Sequence, residues 1–464
     1  MLSTKKKIHF VGIGGIGMSG IAHILLESGY QVSGSDLKFN RLMDQIKSKG
    51  AKLFSGHDCR NISEAEVVVY SSAVQPDNPE LVMARKKGIP VVKRAQMLSE
   101  LMNGKISIVV SGTHGKTTTT SLIGSVLLAG GLDPTVIVGG EAKDFGGNAI
   151  LGKGNYFVAE ADESDGSFLF LNPDYSIITN IEEEHLDFYK NLDTIIDTYG
   201  RFINNTSRKG ILFWHKADEN IGRCLAKIKR RNVSFGFSDL ADLCAKNIEM
   251  KGFSSSFNCS YRKKILGRVT VNLPFSHNIL NALAAIGPGL ELGMDFDSIN
   301  RALSAYHGVD RRFQVKLNSS ELMVIDDYAH HPTEVKATLG ACRALGKRII
   351  CVFQPHRYSR TRHLGKRFAE ALCSVDHLIL AEIYPADEKP LAGVSSRCIY
   401  DELKKRGREK VDFAVSKEEA LKMVEDIIRP QDLVVVMGAG NINYVADKLT
   451  QIYADKQQTV KLSN

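Results

Sequence analysis

A chain of 464 residues is longer than one hydrophobic core supports, so about three domains are expected. Hydrophobic residues at 43% and charged residues at 24% are those of a soluble globular protein, and no run of ~18 apolar residues exists to span a membrane. The net charge of +8 comes without a long Lys/Arg block or a basic stripe interleaved with aromatics, which sets nucleic acid aside and leaves anionic small molecules as expected partners.

Taken in order, Lys7–Val11 reads as a strand. The lysine-rich start superficially resembles a secretion signal, but its apolar part is short and breaks into glycines, so a first strand is expected instead. Gly12-Ile13-Gly14-Gly15-Ile16-Gly17 matches G-x-G-x-x-G in full, a helical run covers residues 18–28, and a second strand over 31–34 leads to Asp36, nineteen residues past Gly17. In such a turn Gly14, Gly15, Ile16 and Gly17 let the backbone approach a diphosphate, and the acid is placed for a ribose hydroxyl. The pattern predicts a nucleotide diphosphate without saying which nucleotide. Alternation continues with helix 40–49, strands 52–54 and 66–70, helix 79–87 and strand 91–92. Loops at strand carboxyl ends line the crevice of a parallel sheet, which brings in His57 and Ser71. His57 reads first as a plain loop histidine and second as a contact.

The strand over 106–110 feeds Gly112-Thr113-His114-Gly115-Lys116-Thr117-Thr118, and residues 121–128 are apolar at helical spacing. Strand, tight glycine turn and helix are the context of a phosphate-cradling loop, whose backbone N–H groups point at the anion. Lys116 is expected to reach the outer phosphates and the Thr117 hydroxyl to ligate Mg²⁺. The general pattern has a glycine where Val110 stands, so this loop is a short variant. A strand over 156–159 runs into Glu160, and another over 175–180 runs toward His185. Both residues follow apolar strands in the domain that holds Lys116, and both are expected to bind metal. Glu182 to Glu184 read as a solvated acidic loop. Residues 205–270 look like smaller β-rich structure. His277-Asn278 and Asn281 then open a helix, where amides one turn apart read a base edge or serve as caps. Arg311-Arg312 are either surface residues or a phosphate clamp at a domain junction.

From residue 322 strands and helices alternate again, with strands over 322–325, 348–353, 377–381, 411–413 and 433–437. Two strand-end loops stand out: Asp326-Asp327-Tyr328-Ala329-His330-His331-Pro332 and Gln354-Pro355-His356-Arg357-Tyr358-Ser359-Arg360. Adjacent histidines rarely chelate one ion, so no metal pair is expected at His330-His331. The eight cysteines are scattered, with no Cys-x-x-Cys, and predict reduced thiols in a cytoplasmic protein.

In this order, and over nearly the whole chain, these motifs resemble the Mur ligases of bacterial peptidoglycan synthesis. The resemblance implies an α/β protein of three domains: a Rossmann-like UDP-binding domain over 1–104, a P-loop ATPase-type domain over 105–312, and a Rossmann-like doubly wound sheet over 313–464. It also implies ATP and Mg²⁺ as cofactors and an acyl phosphate intermediate. Thr117, Glu160 and His185 match the metal ligands. Gly112 to Thr118, His277, Asn278, Asn281, Arg312 and Asp327 match the ATP side. Gly14 to Gly17, Asp36, Ser71 and His57 match the UDP-sugar side. Tyr328, His330, His356, Arg357 and Arg360 match the amino-acid side, and Lys116, Thr117, Glu160, His185, His330 and Arg357 are the implied catalytic set. Later-acting members carry a carbamylated lysine past the metal histidine, whereas Asp197-Thr198-Tyr199-Gly200-Arg201 has none. That implies UDP-N-acetylmuramate and L-alanine as substrates of a monomer or homodimer. The nearest rival, the murein-tripeptide recycling ligase, opens on a Gly-x-Cys-Gly-like turn unlike Gly12-Ile13-Gly14-Gly15. A dinucleotide-dependent oxidoreductase built on the first turn alone leaves the second nucleotide loop unexplained.

Overall fold

The computed structural model describes Leu2, Thr4, residues 6–386 and residues 388–462, apart from the side chains of Asp187 and 456–462. Among these, the strands form three sheets. The chain divides into two compact units, Met1–Val309 and Asp310–Asn464, with the first two sheets in the former and the third in the latter. The division precedes Arg311-Arg312, which therefore belong to the second unit.

The first sheet is parallel and runs Lys52–Ser55, Gln31–Asp36, Lys7–Val11, Val67–Tyr70, Val91–Lys93. Strand order reverses at the central Lys7–Val11, which opens a crevice beyond the carboxyl ends of Lys7–Val11 and its neighbours. The glycine turn sits there and leads into the helix Ile16–Glu27, whose first residues have no side-chain cap. The helix Arg94–Met102 was not foreseen, although Ala95, Leu98 and Met102 recur at helical spacing and are buried.

The second sheet runs Lys264–Val271, Ser254–Tyr261, Leu243–Lys251, Asn232–Gly236, Ile211–His215, Tyr175–Ile178, Ile106–Ser111, Tyr156–Glu160, Thr135–Ala142, Gly147–Ile150. The stretch expected as smaller β-rich structure continues this sheet, parallel as far as Leu243 and antiparallel in the meander beyond. At its centre Ile106–Ser111 leads into the phosphate loop and the helix Lys116–Ala129. Leu122, Ile123, Val126 and Leu127 of that helix share a core with Ile279, Ala282, Leu283 and Ile286 of Ser276–Glu291. Each such side chain contributes about 1.5–3 kcal/mol on burial, so the start of the helix is held rigidly at the loop.

The third sheet runs Gln314–Asn318, Leu322–Asp327, Asp432–Met437, Ile349–Phe353, His377–Ala381, Val411–Ala414, with only the edge strand Gln314–Asn318 antiparallel. Its central strands are fully buried apolar runs, as strands covered by helices on both faces must be.

Candidate active site

The phosphate loop is braced by residues from distant parts of the chain as well as by its own Lys116. Gly112 has φ 138°, and a Cβ there would collide with Thr179 Oγ1. Gly115 has φ 78°, and its Cβ would lie 2.6 Å from Asn281 Oδ1. The Thr113 amide donates to the Asn180 carbonyl at 3.1 Å, and the His114 amide to Asn180 Oδ1 at 2.9 Å. Thr179 Oγ1 and Asn180 Nδ2 both donate to the His114 carbonyl, at 2.6 and 3.1 Å. Asn281 also accepts from Thr119 Oγ1 at 3.1 Å and donates to Asn278 Oδ1 at 3.1 Å. Both asparagines are thus buried beneath the loop as braces, while His277 is exposed. Thr179 and Asn180 went unread in the sequence because their role is to meet a loop some 65 positions away.

Lys116 folds back over this loop. Its Nζ donates to the Gly112 and Thr113 carbonyls at 2.5 and 3.1 Å and to Glu163 at 3.0 Å. Burial works against the charge on Lys116, but Glu163, Glu160 and Asp162 outweigh it and hold the amine above its ordinary pKa. Burial likewise pushes Glu163 up against the pull of Lys116. His185 Nε2 is 3.7 Å from Glu163 Oε1. Glu163 therefore faces both Lys116 and His185, and the sequence reading passed over it among the acids that follow Glu160.

Glu160, at the end of Tyr156–Glu160, points elsewhere: its Oε2 accepts from the Gly139 amide at 3.0 Å. A Cβ on Gly139 would overlap that carboxylate, and one on Gly140 would come 3.1 Å from Thr117 Cγ2. Gly139 thus leaves room for the Glu160 carboxylate, and Gly140 for the close approach of Thr117. A hydroxyl and carboxylates are hard oxygen donors of the kind Mg²⁺ takes, so Thr117 and Glu160 fit that ion; the His185 nitrogen is a softer addition. His185 holds φ 54°, a conformation costly for a residue with a Cβ and concentrated at functional sites.

At the first glycine turn, Gly12 and Ile13 donate to the Ser35 carbonyl at 2.9 and 3.1 Å, and Gly14 donates to Asp36 Oδ2 at 2.9 Å. A Cβ on Gly14 would meet Asp36 and Asn40 at 2.9 Å, and one on Gly17 would meet Arg94 at 3.0 Å. By contrast, one on Gly15 has nothing nearer than the Gly12 carbonyl at 3.6 Å. Ser71 lies under Gly12, whose Cβ would touch it at 3.2 Å. His57 Nδ1 is held by Ser35 Oγ at 2.9 Å and Glu80 at 3.2 Å.

In the second unit the candidate residues form one row. The guanidinium groups of Arg311 and Arg312 lie 5.2 and 4.9 Å from the Tyr328 ring centre. Tyr328 meets His330 edge-on at 5.3 Å, His330 meets His356 at 5.7 Å, and His356 stacks on Tyr384 at 5.7 Å. Arg360 Nη1 donates to the His356 carbonyl at 3.2 Å, and Arg357 takes φ 72° at the start of its helix. Tyr384 and the turn Gly438-Ala439-Gly440 were not read from the sequence, yet Arg311 Nη2 donates to the Gly438 carbonyl at 2.5 Å. Asp327 accepts from the Ala329 amide at 2.9 Å and Thr338 Oγ1 at 2.8 Å, and burial pushes it up to about 6.

Asp326 is fully buried, its oxygens without hydrogen-bond partners and its nearest cation Arg311 at 3.6 Å. Burial pushes it up to about 6, against Arg311. A carboxyl raised above its unfolded value of about 3.9 favours the folded state below that pH and loses the advantage as pH climbs through 6. Asp326→Asn is therefore expected to gain stability relative to the parent between pH 4 and 7, by about 2 kcal/mol, and to plateau above. Denaturant melts across that range check it; a gain that shrinks as pH rises would reverse the sign.

Three family descriptions cover the chain: "Mur ligase family, catalytic domain" over residues 7–106, "Mur ligase middle domain" over 110–288 and "Mur ligase, glutamate ligase domain" over 311–440. A UDP-N-acetylmuramate–L-alanine ligase of Geotalea uraniireducens is 45% identical over 452 residues, covering 97% of this chain and 99% of its own. The structure of a UDP-N-acetylmuramate–alanine ligase from Thermotoga maritima superposes with TM-score 0.84 at 30% identity, covering 97% of this chain and 99% of its own. A murein peptide ligase from Psychrobacter arcticus shares the fold with TM-score 0.73 at 23% identity, over 96% and 98% of the two chains.

Proposed function

The chain belongs to the Mur ligase family, and from that premise we propose that it joins L-alanine to the lactyl carboxylate of UDP-N-acetylmuramate at the expense of ATP, in peptidoglycan precursor synthesis. One observation carries this reading. A complete diphosphate-type turn and a short phosphate loop with Lys116 among carboxylates occur in one chain, and a relative that matches it end to end is an L-alanine ligase.

A carboxylate is a poor electrophile, so it must be activated. The lactyl carboxylate oxygen attacks the γ-phosphorus of ATP, the bond to the β-phosphate oxygen breaks, and ADP leaves behind an acyl phosphate. The neutral amine of L-alanine then attacks the acyl carbon, inorganic phosphate departs, and the amine gives up its proton. Two anions meet in the first step. Lys116 offsets the charge that develops on the transferred group, and the loop amides of Gly112 to Thr118 hold the phosphates. Mg²⁺, when held by Thr117, Glu160 and His185, neutralises the phosphate oxygens. His277, Arg312 and Asp327 are assigned to the rest of ATP, while Asn278 and Asn281 act on it through the loop they brace. Gly14 to Gly17, Asp36, Ser71 and His57 are assigned to the UDP-sugar. Tyr328, His330, His356, Arg357 and Arg360 are assigned to L-alanine, where an Arg fork suits the amino-acid carboxylate.

None of the helices among the described residues is long and apolar enough to cross a membrane, and the eight cysteines are unpaired. A reducing cytoplasm suits such thiols.

The test is ADP release with UDP-N-acetylmuramate and a panel of amino acids. Turnover with L-alanine is expected; turnover only with a murein tripeptide would overturn the substrate assignment. A second result separates the two nucleotide sites. Because a Cβ at position 15 makes only ordinary van der Waals contact within the protein, the nearest at 3.6 Å, Gly15→Val is expected to melt like the parent yet bind UDP-N-acetylmuramate at least about tenfold more weakly, since the backbone can no longer close on the diphosphate. Unchanged affinity by calorimetry removes the turn from the binding site.

A further inference from the structure

Beneath the first glycine turn lies a buried polar cluster that the proposed reaction leaves unused. Glu80, in the first turn of the helix Pro79–Lys86, is fully buried. Its carboxylate crosses the sheet to accept from Ser35 Oγ at 2.5 Å, Asn61 Nδ2 at 2.6 Å and His57 Nδ1 at 3.2 Å. Buried His9, whose Nδ1 is 2.8 Å from Ser33 Oγ, places its other nitrogen 3.7 Å from Glu80. Burial opposes charge on Glu80, yet the neighbouring His9 and the bonds from Ser35 and Asn61 outweigh it and hold its pKa below the ordinary value. An ionised carboxylate this deep is costly unless its hydrogen bonds are met. Here they are met by Ser35 near the end of its strand, His57 in the following loop and Asn61 in a short 3-10 turn.

Two of those partners lead to the crevice. Ser35 carries the turn itself, since its carbonyl receives Gly12 and Ile13. His57 follows Lys52–Ser55 at the carboxyl edge of the sheet, beside Asp36, whose carbonyl receives the Gly56 amide at 2.8 Å. With Nδ1 facing inward to Glu80 and Ser35, the ring keeps a fixed orientation and its Nε2 is left for the open side. This is how a carboxylate sets the tautomer and aim of a histidine: Nδ1–H donates inward, and the outward Nε2 carries the lone pair that accepts.

We propose that Glu80 is a positioning residue for the nucleotide of the UDP-sugar: through one carboxylate it fixes both the Ser35 support of the glycine turn and the His57 imidazole, whose Nε2 accepts a hydrogen bond from a ribose hydroxyl of the uridine. This rests on the UDP-sugar reading of the first domain. It makes His57 a ligand contact rather than a plain loop histidine, and it ties that ring and the glycine turn to one carboxylate through Ser35 and His57, which also bond each other at 2.9 Å.

The experiment measures binding of UDP and ATP separately by calorimetry, with melting temperatures, for the parent, Glu80→Gln, His57→Ala and the double variant. Glu80→Gln is expected to weaken UDP binding about tenfold, the scale of a charged hydrogen bond lost, and to leave ATP affinity unchanged. In the His57→Ala background the same substitution should weaken UDP binding clearly less, because the residue it aims is gone. Equal losses in both backgrounds, or parallel losses of UDP and ATP affinity, would overturn the proposal in favour of a merely structural role. If Glu80→Gln does not fold, Ser35→Ala replaces it in the same cycle with the same two outcomes. A parent protein that binds no UDP overturns the UDP reading itself, whereas UDP binding that is indifferent to these residues overturns only the positioning role.

Discussion

Lys116→Ala is expected to lower ADP formation by about a thousandfold, the scale of removing one preorganised charge from a transferred phosphoryl group. Affinity for UDP-N-acetylmuramate should stay near that of the parent, because the first glycine turn lies on another sheet and hangs from Ser35 and Asp36. The substitution also strips Glu163 of its cation at 3.0 Å. A buried carboxylate left alone takes up a proton rather than stay charged, so the fold should survive with a modest loss. ADP release and calorimetry on the same preparation check both halves. Wild-type turnover would remove Lys116 from the site, and loss of both substrates together would indicate a folding defect.

Gly139→Ala is the second large effect. One added methyl would occupy the space of the Glu160 carboxylate and remove the room in which that side chain takes the Gly139 amide. The strand is central to neither exposure nor flexibility: Val136 and Val138 beside it are fully buried, so Glu160 and not the backbone must move. Overpacking of this kind costs about 1–3 kcal/mol in stability. The expected functional loss is larger, about a hundredfold in turnover, with Mg²⁺ needed at higher concentration. A Mn²⁺ titration followed by proton relaxation reads the ion directly, apart from activity. Unchanged ion affinity would sink the assignment of Glu160 as a ligand. Alanine at Gly147, which meets nothing within 4 Å and lies outside the positive-φ glycines, serves as a nearby control.

Much of the site was legible because its parts are contiguous. Gly14 to Gly17, Gly112 to Thr118 and the paired loops at Asp327 and Arg357 each carry their chemistry in a few consecutive residues at a strand end. Other parts were not legible. Asn281 reads equally as cap, base contact or brace, and only the packing of Ser276–Glu291 on Lys116–Ala129 sets it beneath Gly115. Glu163 was hidden among neighbouring acids whose spacing says nothing about which one turns toward Lys116. Backbone strain was equally silent: His185, Arg311, Phe313 and Arg357 all hold positive φ around candidate residues, although none is a glycine that would announce it.

The sequence by itself therefore determined the fold class, the two nucleotide loops, the strand-end acids and histidines, and the family they resemble. Backbone N–H cradles and strand-to-helix turns depend on local spacing, which is written in consecutive residues. Tertiary structure alone decided how these pieces are supported. It laid Gly139 and Gly140 against Glu160 and Thr117, stacked Tyr384 on His356, and carried Glu80 across the sheet to Ser35 and His57. Such contacts join residues tens of positions apart through strand order and register, and a pattern with period 2 or 3.6 contains neither.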